Sequence, residues 1–194
     1  MGMADVTFFF EPVCPWTWRA ARWLMAVAEA RSLDVEWRPL SLFVLNDGPD
    51  EEHGEETTVS FRSLRLVEHL HRSGRQADIA RFYGAIGQLA HEEGFAFDDE
   101  LVSSAVRAAD LGADGAALDD PGLDAGVRAA TEAALAAAGP GVGSPVFVLP
   151  GARRGFHGPV LKNVPDKRDG LALWEAVEAL APIDAFFEIK RGRN

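Results

Sequence analysis

A single cysteine, Cys14, stands in this chain of 194 residues, inside the stretch FFFEPVCPWTW that runs from Phe8 to Trp18. A thiolate is an intrinsically strong nucleophile, so the first question is whether this sulfur is placed to use that chemistry. Cys14 closes an apolar run and is followed by Pro15, whose fixed φ suits the first turn of a helix. The N-terminal end of a helix presents N–H groups and a partial positive charge, an electropositive setting of the kind in which reactive thiolates occur. A lone free cysteine elsewhere is more commonly a buried, inert, small apolar residue. The junction of strand and helix argues against that reading here. One cysteine cannot form an internal disulfide, which fits a reducing compartment, and the expected location is cytoplasmic.

Other reactive patterns are scarce. His53, His69, His71 and His91 are scattered, and His69 and His71, two apart on an expected helix, face different ways, so no metal site is expected. There is no glycine-rich phosphate loop and no GxSxG nucleophile elbow. Nineteen basic against thirty acidic residues give a formal charge of −11, which argues against nucleic acid or an anionic membrane surface as partner. No apolar run approaches a membrane-spanning length. Arg153, Arg154, Lys162 and Lys167 form a local basic group that a carboxylate-bearing ligand would fit, although solvated surface explains it equally well.

The elements that would carry Cys14 are read from periodicity. Val6 to Phe10 reads as a strand buried on both faces. Trp16, Ala20, Trp23 and Val27, with Ala21, Leu24 and Ala28 beside them, predict a mostly buried helix. Leu33 to Leu42 reads as a second strand, so the start of the chain is a βαβ unit with parallel strands. Asn46 to Thr58 reads as an exposed acidic loop. Four helical stretches come next, stopped by glycines at Gly74, Gly94, Gly112 and Gly139, the last opening at Asp120 and Pro121. Val146 to Leu149 and Arg154 to His157 predict an antiparallel hairpin, and Leu171 to Leu180 a final amphipathic helix.

With CPWT at a helix start and a helical block dividing the order β, α, β from β, β, α, the chain resembles the DsbA-like branch of the thioredoxin superfamily. Within that branch it is similar to the mycothiol-dependent nitroreductase family, through FFEPVCPWTW, RWLMAV, LSLFVLN, GSPVFV, FHGPVLKNVP and FFEIKR. The resemblance implies an α/β thioredoxin-like fold: residues 1–56 as its βαβ part, 57–140 as an inserted helical domain, and 141–194 as its ββα part and tail. It further implies a thiol-dependent oxidoreductase that uses an external low-molecular-weight thiol, mycothiol or else glutathione, against disulfides or electrophilic and nitroaromatic compounds. A homodimer is implied as well.

By the same resemblance Cys14 is the nucleophile, and Pro15, Trp16, Ser144, Pro145 and His157 contact substrate. Ser144-Pro145 resembles the cis-proline that packs by the active cysteine, although residues alone would equally allow an ordinary proline opening an edge strand. His157 reads also as an exposed loop histidine. Of Trp16 and Trp18 only one is expected at a pocket, since on a helix they point apart. Thr17 is the departure, standing where a dithiol motif has its second cysteine. Its hydroxyl is expected to donate to the Cys14 sulfur but cannot resolve a mixed disulfide, so the mechanism is monothiol; Thr17 reads otherwise as a plain helix-start residue. Two alternatives keep the fold: an enzyme like kappa-class glutathione transferases and 2-hydroxychromene-2-carboxylate isomerases, which need no resolving cysteine, or a non-catalytic binding protein.

Overall fold

The structure is a computed structural model that describes residues 4–49 and 54–192. Strand β1 (Val6–Phe10) leads to helix α1 (Pro15–Arg31) and strand β2 (Val35–Pro39), then to a one-turn helix α2 (Leu42–Leu45). Helices α3 (Gly54–Arg72), α4 (Gln76–Gly87), α5 (Asp99–Ala108) and α6 (Asp124–Ala138) come next, before strands β3 (Val146–Val148) and β4 (Phe156–His157) and helix α7 (Lys167–Leu180). The sheet order is β2-β1-β3-β4. β1 runs parallel to β2 and antiparallel to β3, and β3 pairs antiparallel with β4.

The apolar run of β1 is buried on both faces, as its composition requires. Val6, Phe8 and Phe10 turn to the large core, where Phe8 meets Phe147 at 4.6 Å and Trp37 at 5.2 Å between ring centroids. Phe9 turns the other way, into a smaller cluster with Leu40, Ala134 of α6 and Val146. α1 and α7 cover the first face together, with Trp23 and Trp174 6.0 Å apart and the Trp23 indole donating to the Gly170 carbonyl at 2.9 Å. The same core continues through Leu64, Ile79, Phe82, Tyr83 and Leu101 of the helical layer, so sheet and helices share one apolar interior. β2 is an edge strand, and Gln76 of α4 closes part of that edge by accepting from the Trp37 amide at 2.7 Å.

Several expectations are corrected. The second strand ends at Pro39 rather than Leu42, because Ser41 caps α2 by accepting from the Val44 amide. The loop expected over Asn46 to Thr58 is shorter: residues 50–53 lie outside the described part, and α3 already begins at Gly54, with Glu55 and Glu56 favourably placed in its first turn. α5 stops at Ala108 and a 3-10 helix, Gly112–Asp119, replaces its expected continuation. Asp120 and Pro121 start a second short 3-10 turn, Pro121–Leu123, and α6 proper begins at Asp124. β4 has only Phe156 and His157.

Candidate active site

Cys14 is the N-cap of α1, with extended backbone angles and no capping hydrogen bond from its side chain. The turn before it closes when the Cys14 amide donates to the Glu11 carbonyl at 3.2 Å, and the helix opens when the Trp18 amide donates to the Cys14 carbonyl at 3.1 Å. The thiol is therefore held at the point that the first-turn amides of α1 face, and it is half-buried rather than sealed in the core. Pro15 is exposed beside it. Trp16 is half-buried, with the Arg19 guanidinium 4.7 Å over its ring, whereas Trp18 is in the core against Tyr83. Of the two, Trp16 is the one left partly accessible.

Ser144 and Pro145 meet this turn from the opposite side of the chain, and the peptide bond between them is cis. The Ser144 hydroxyl oxygen accepts from the Glu11 amide at 3.0 Å and from the Thr17 hydroxyl at 2.8 Å. Thr17, fully buried, thus donates to Ser144 and not to the Cys14 sulfur as expected. The physical reason is register: three residues beyond the N-cap, its side chain points down into the joint between α1 and the 143–145 loop. His157 braces that loop from β4, its Nδ1 donating to the carbonyls of Gly143 at 3.0 Å and Pro145 at 3.2 Å. A second cis bond, Gly158-Pro159, comes directly after it.

Three groups around Cys14 were not singled out by the sequence. Glu11, fully buried, accepts from the Leu42 amide at 2.6 Å, from the Val13 amide at 3.4 Å and from the Ser60 hydroxyl of α3. Burial pushes its carboxyl up to about 7, against the lowering effect of those three donors. Tyr83 of α4, also fully buried, stacks on Phe10 at 4.0 Å, and its hydroxyl has no hydrogen-bond partner. Burial raises its ionisation well above the ordinary tyrosine value, with the charges of Cys14 and Glu11 adding to the effect. His91 sits in a π-helical turn, Gln88–Glu92, that continues α4. Its Nε2 donates to the Pro12 carbonyl at 2.8 Å, and burial lowers its pKa despite that bond. Trp18 locks the same turn in place, donating from its indole to Glu92 at 3.2 Å while Gly87 lies against its ring, where a Cβ would overlap the indole.

The signal that could have found Glu11 is an acid in an otherwise apolar run. The π turn that aims His91 leaves no comparable trace. Among the described residues no cluster of three or more His, Cys, Asp or Glu could hold a metal ion, and no helix is long and apolar enough to cross a membrane. A cavity of about 350 Å³ opens beside His157, lined also by Arg153, Arg154, Phe186 and Phe187, and another of about 470 Å³ lies between α1 and α7. Cys14 lines neither of these two.

A βαβ unit, a helical insertion, a hairpin opened by a cis-proline and a cysteine at a helix start define a thioredoxin-like protein of the DsbA type. The family model described as Rv2466c-like, mycothiol-dependent nitroreductase Rv2466c, matches residues 13–191, and the chain belongs to that family. It is 31% identical over 197 residues to the uncharacterized protein Rv2286c of Mycobacterium tuberculosis, covering 99% of this chain and 84% of that one. Among solved structures it is similar to a 2-hydroxychromene-2-carboxylate isomerase, with a TM-score of 0.62 at 15% identity over 90% of this chain and 95% of that one. A protein from Nitrosomonas europaea described as a disulfide isomerase gives a TM-score of 0.53 at 12% identity, covering 89% and 98%. Both likenesses concern the fold.

Proposed function

We propose that this protein is a cytoplasmic monothiol oxidoreductase in which Cys14 exchanges with disulfides or adds to electrophilic compounds, nitroaromatics included, using an external low-molecular-weight thiol such as mycothiol. The observation that carries the reading is the position of Cys14: the N-cap of α1, half-buried, without a capping bond, opposite the cis-proline loop. The Cys14 thiolate attacks one sulfur of a disulfide, forms a new S–S bond to it, and releases the other sulfur as a thiolate. Thr17 has no sulfur to carry out the second exchange, and its hydroxyl is engaged with Ser144. When bound, the external thiol supplies the second sulfur that completes turnover.

The residues around the turn suit a small polar thiol and a flat electrophile. Trp16 offers an aromatic face with Arg19 across it, and the loop of Ser144 and Pro145 is held beside the turn by His157. We assign Cys14 and Thr17 to the reacting centre, Thr17 as the residue that fixes the loop against it, and Pro15, Trp16, Ser144, Pro145 and His157 to ligand contact. The test is mass spectrometry of the protein incubated with oxidised mycothiol, followed by turnover with the reduced thiol. A single mixed disulfide at Cys14, lost in Cys14→Ser, is expected; absence of any adduct and any turnover would sink the proposal.

The threonine at position 17 also favours a second reading. A site without a resolving cysteine suits addition and elimination of a thiol with no net redox change, as in an isomerase. Isomerisation of a conjugated carbonyl substrate, dependent on added thiol and without disulfide exchange, would select that reading over the first.

A further inference from the structure

Glu11 lies at a junction. Its backbone amide donates to Ser144 of the cis-proline loop, and its carbonyl accepts from Cys14. Its carboxylate takes Leu42 from the start of α2 on Oε2, and Val13 of the thiol turn together with Ser60 of α3 on Oε1. No lysine or arginine pairs with it among the described residues. The ionisable groups that face it are Tyr83 from α4 and Cys14 from the turn; α1 brings Thr17 by way of Ser144, and the π turn brings His91 onto the carbonyl of the adjoining Pro12. A carboxylate so placed satisfies donors of three elements at once. A carboxylic acid at the same position holds them less well: with its proton on Oε1 donated to Ser60, that oxygen becomes a hydroxyl, a poorer acceptor, and the bond it weakens is the longest of the three, from the Val13 amide at 3.4 Å.

We propose that Glu11 is a positioning residue whose protonation state couples the helical layer to the thiol turn: ionised, it holds Ser60, Leu42 and Val13 together, and protonated, it reverses its bond to Ser60 and weakens its hold on the Val13 amide. Val13 precedes Cys14 directly, so a weaker hold loosens the turn that fixes the nucleophile. The upward displacement of the carboxyl to about 7 puts the change within the neutral range. This inference rests on the reading of Cys14 as the reacting group only for its consequence, since the latch itself is a backbone event.

The experiment uses the full chain and two readouts across the neutral range: hydrogen exchange of the Val13 amide, corrected for intrinsic rate, and alkylation of Cys14 by iodoacetamide. In the wild type, protection of Val13 should fall by roughly three- to tenfold, the worth of one hydrogen bond, as pH drops through about 7. The alkylation profile should show a step at the same pH. Glu11→Gln places a donor where the protonated acid has one, so Val13 should stay less protected at every pH and the step should vanish from both profiles. Ser60→Ala removes a bond that favours the ionised form and should move the midpoint to higher pH, which keeps the test open should Glu11→Gln fold poorly. A flat Val13 profile in the wild type, a step that persists in Glu11→Gln, or an unmoved midpoint in Ser60→Ala would each overturn the latch. A Cys14 that accepts no thiol while Val13 still shows its step would instead overturn the proposed chemistry and leave the latch standing.

Discussion

Two polar assemblies tie the helical layer of this molecule, and they are built on opposite principles. Along α3 and at the start of α4, Arg62 reaches Asp99 and Asp119, Arg65 clasps Asp124 through two nitrogens, and Arg75 spans Asp78 and Asp114. Every carboxylate there has a cation, and the Asp114 carboxyl is held below its ordinary value by its hydrogen bond to Arg75. Beneath the thiol turn, Glu11, Ser60, Thr17 and Ser144 form a buried network with no cation in it. The first assembly joins surfaces that would otherwise be hydrated and adds little net stability. The second holds a group whose charge is costly there, and such groups persist where position and protonation matter more than stability.

That contrast can be broken most forcefully at the sulfur. Cys14→Ser should abolish thiol exchange, a loss of at least ~10³-fold in rate, while leaving the melting temperature and both assemblies intact. A variant that unfolds would show that Cys14 belongs to the packing after all. Next comes the pH dependence of stability. The folded-state pKa of Glu11 is raised, from 4.5 to about 7, so the native state binds the extra proton in that window. Its contribution is therefore fully present below 4.5 and lost as pH rises through about 7. The expected loss is about 3 kcal/mol, visible as the difference between denaturation curves of wild type and Glu11→Gln. Asp114, with its lowered pKa, titrates with the opposite sign and loses its stabilising contribution on acidification. Parallel pH profiles for wild type and Glu11→Gln would remove the distinction between the two regions.

Thr17→Cys comes third. It gives up the bond to Ser144, a cost of about 1 kcal/mol, and installs CPWC. Under oxidant the variant should form an internal disulfide between positions 14 and 17, seen as a loss of two alkylatable thiols. Failure to oxidise would mean that the turn holds the two side chains apart. The smallest effect is expected for Asp124→Asn, under about 1 kcal/mol, because the pair with Arg65 is partly solvated. A larger loss, read from urea unfolding, would place the first assembly among the determinants of the fold.

The parts of this architecture that depend on period were readable from the chain: the double-faced burial of Val6 to Phe10, the helical stripes, the glycines Gly74 and Gly94 at helix ends with positive φ, and the parallel pairing of β1 with β2. Cys14 was legible because a strand end, a proline and a helix start are all local signals. The features that escaped were set by contacts distant in sequence. Thr17 turns to Ser144, 127 residues away, and no local pattern announces that partner. Glu11 is satisfied by Ser60 and Leu42, which reach it only once α2 and α3 have folded over the turn. His91 carries no signal of its place in the sequence, because a 3.6-residue period cannot foresee a π turn.

That π turn, Gln88–Glu92, makes the thiol turn dependent on a single residue of chain length. Deleting one residue within it would let α4 close as an ordinary α-helical turn and change which side chains that turn presents to the thiol turn. The bonds that His91 makes to the Pro12 carbonyl and Glu92 to the Trp18 indole are both made from this turn. The deletion would show itself as a change in the alkylation rate of Cys14 with little change in helix content. Spacing in the helical layer, as much as the identity of any side chain, thus bears on the surroundings of Cys14.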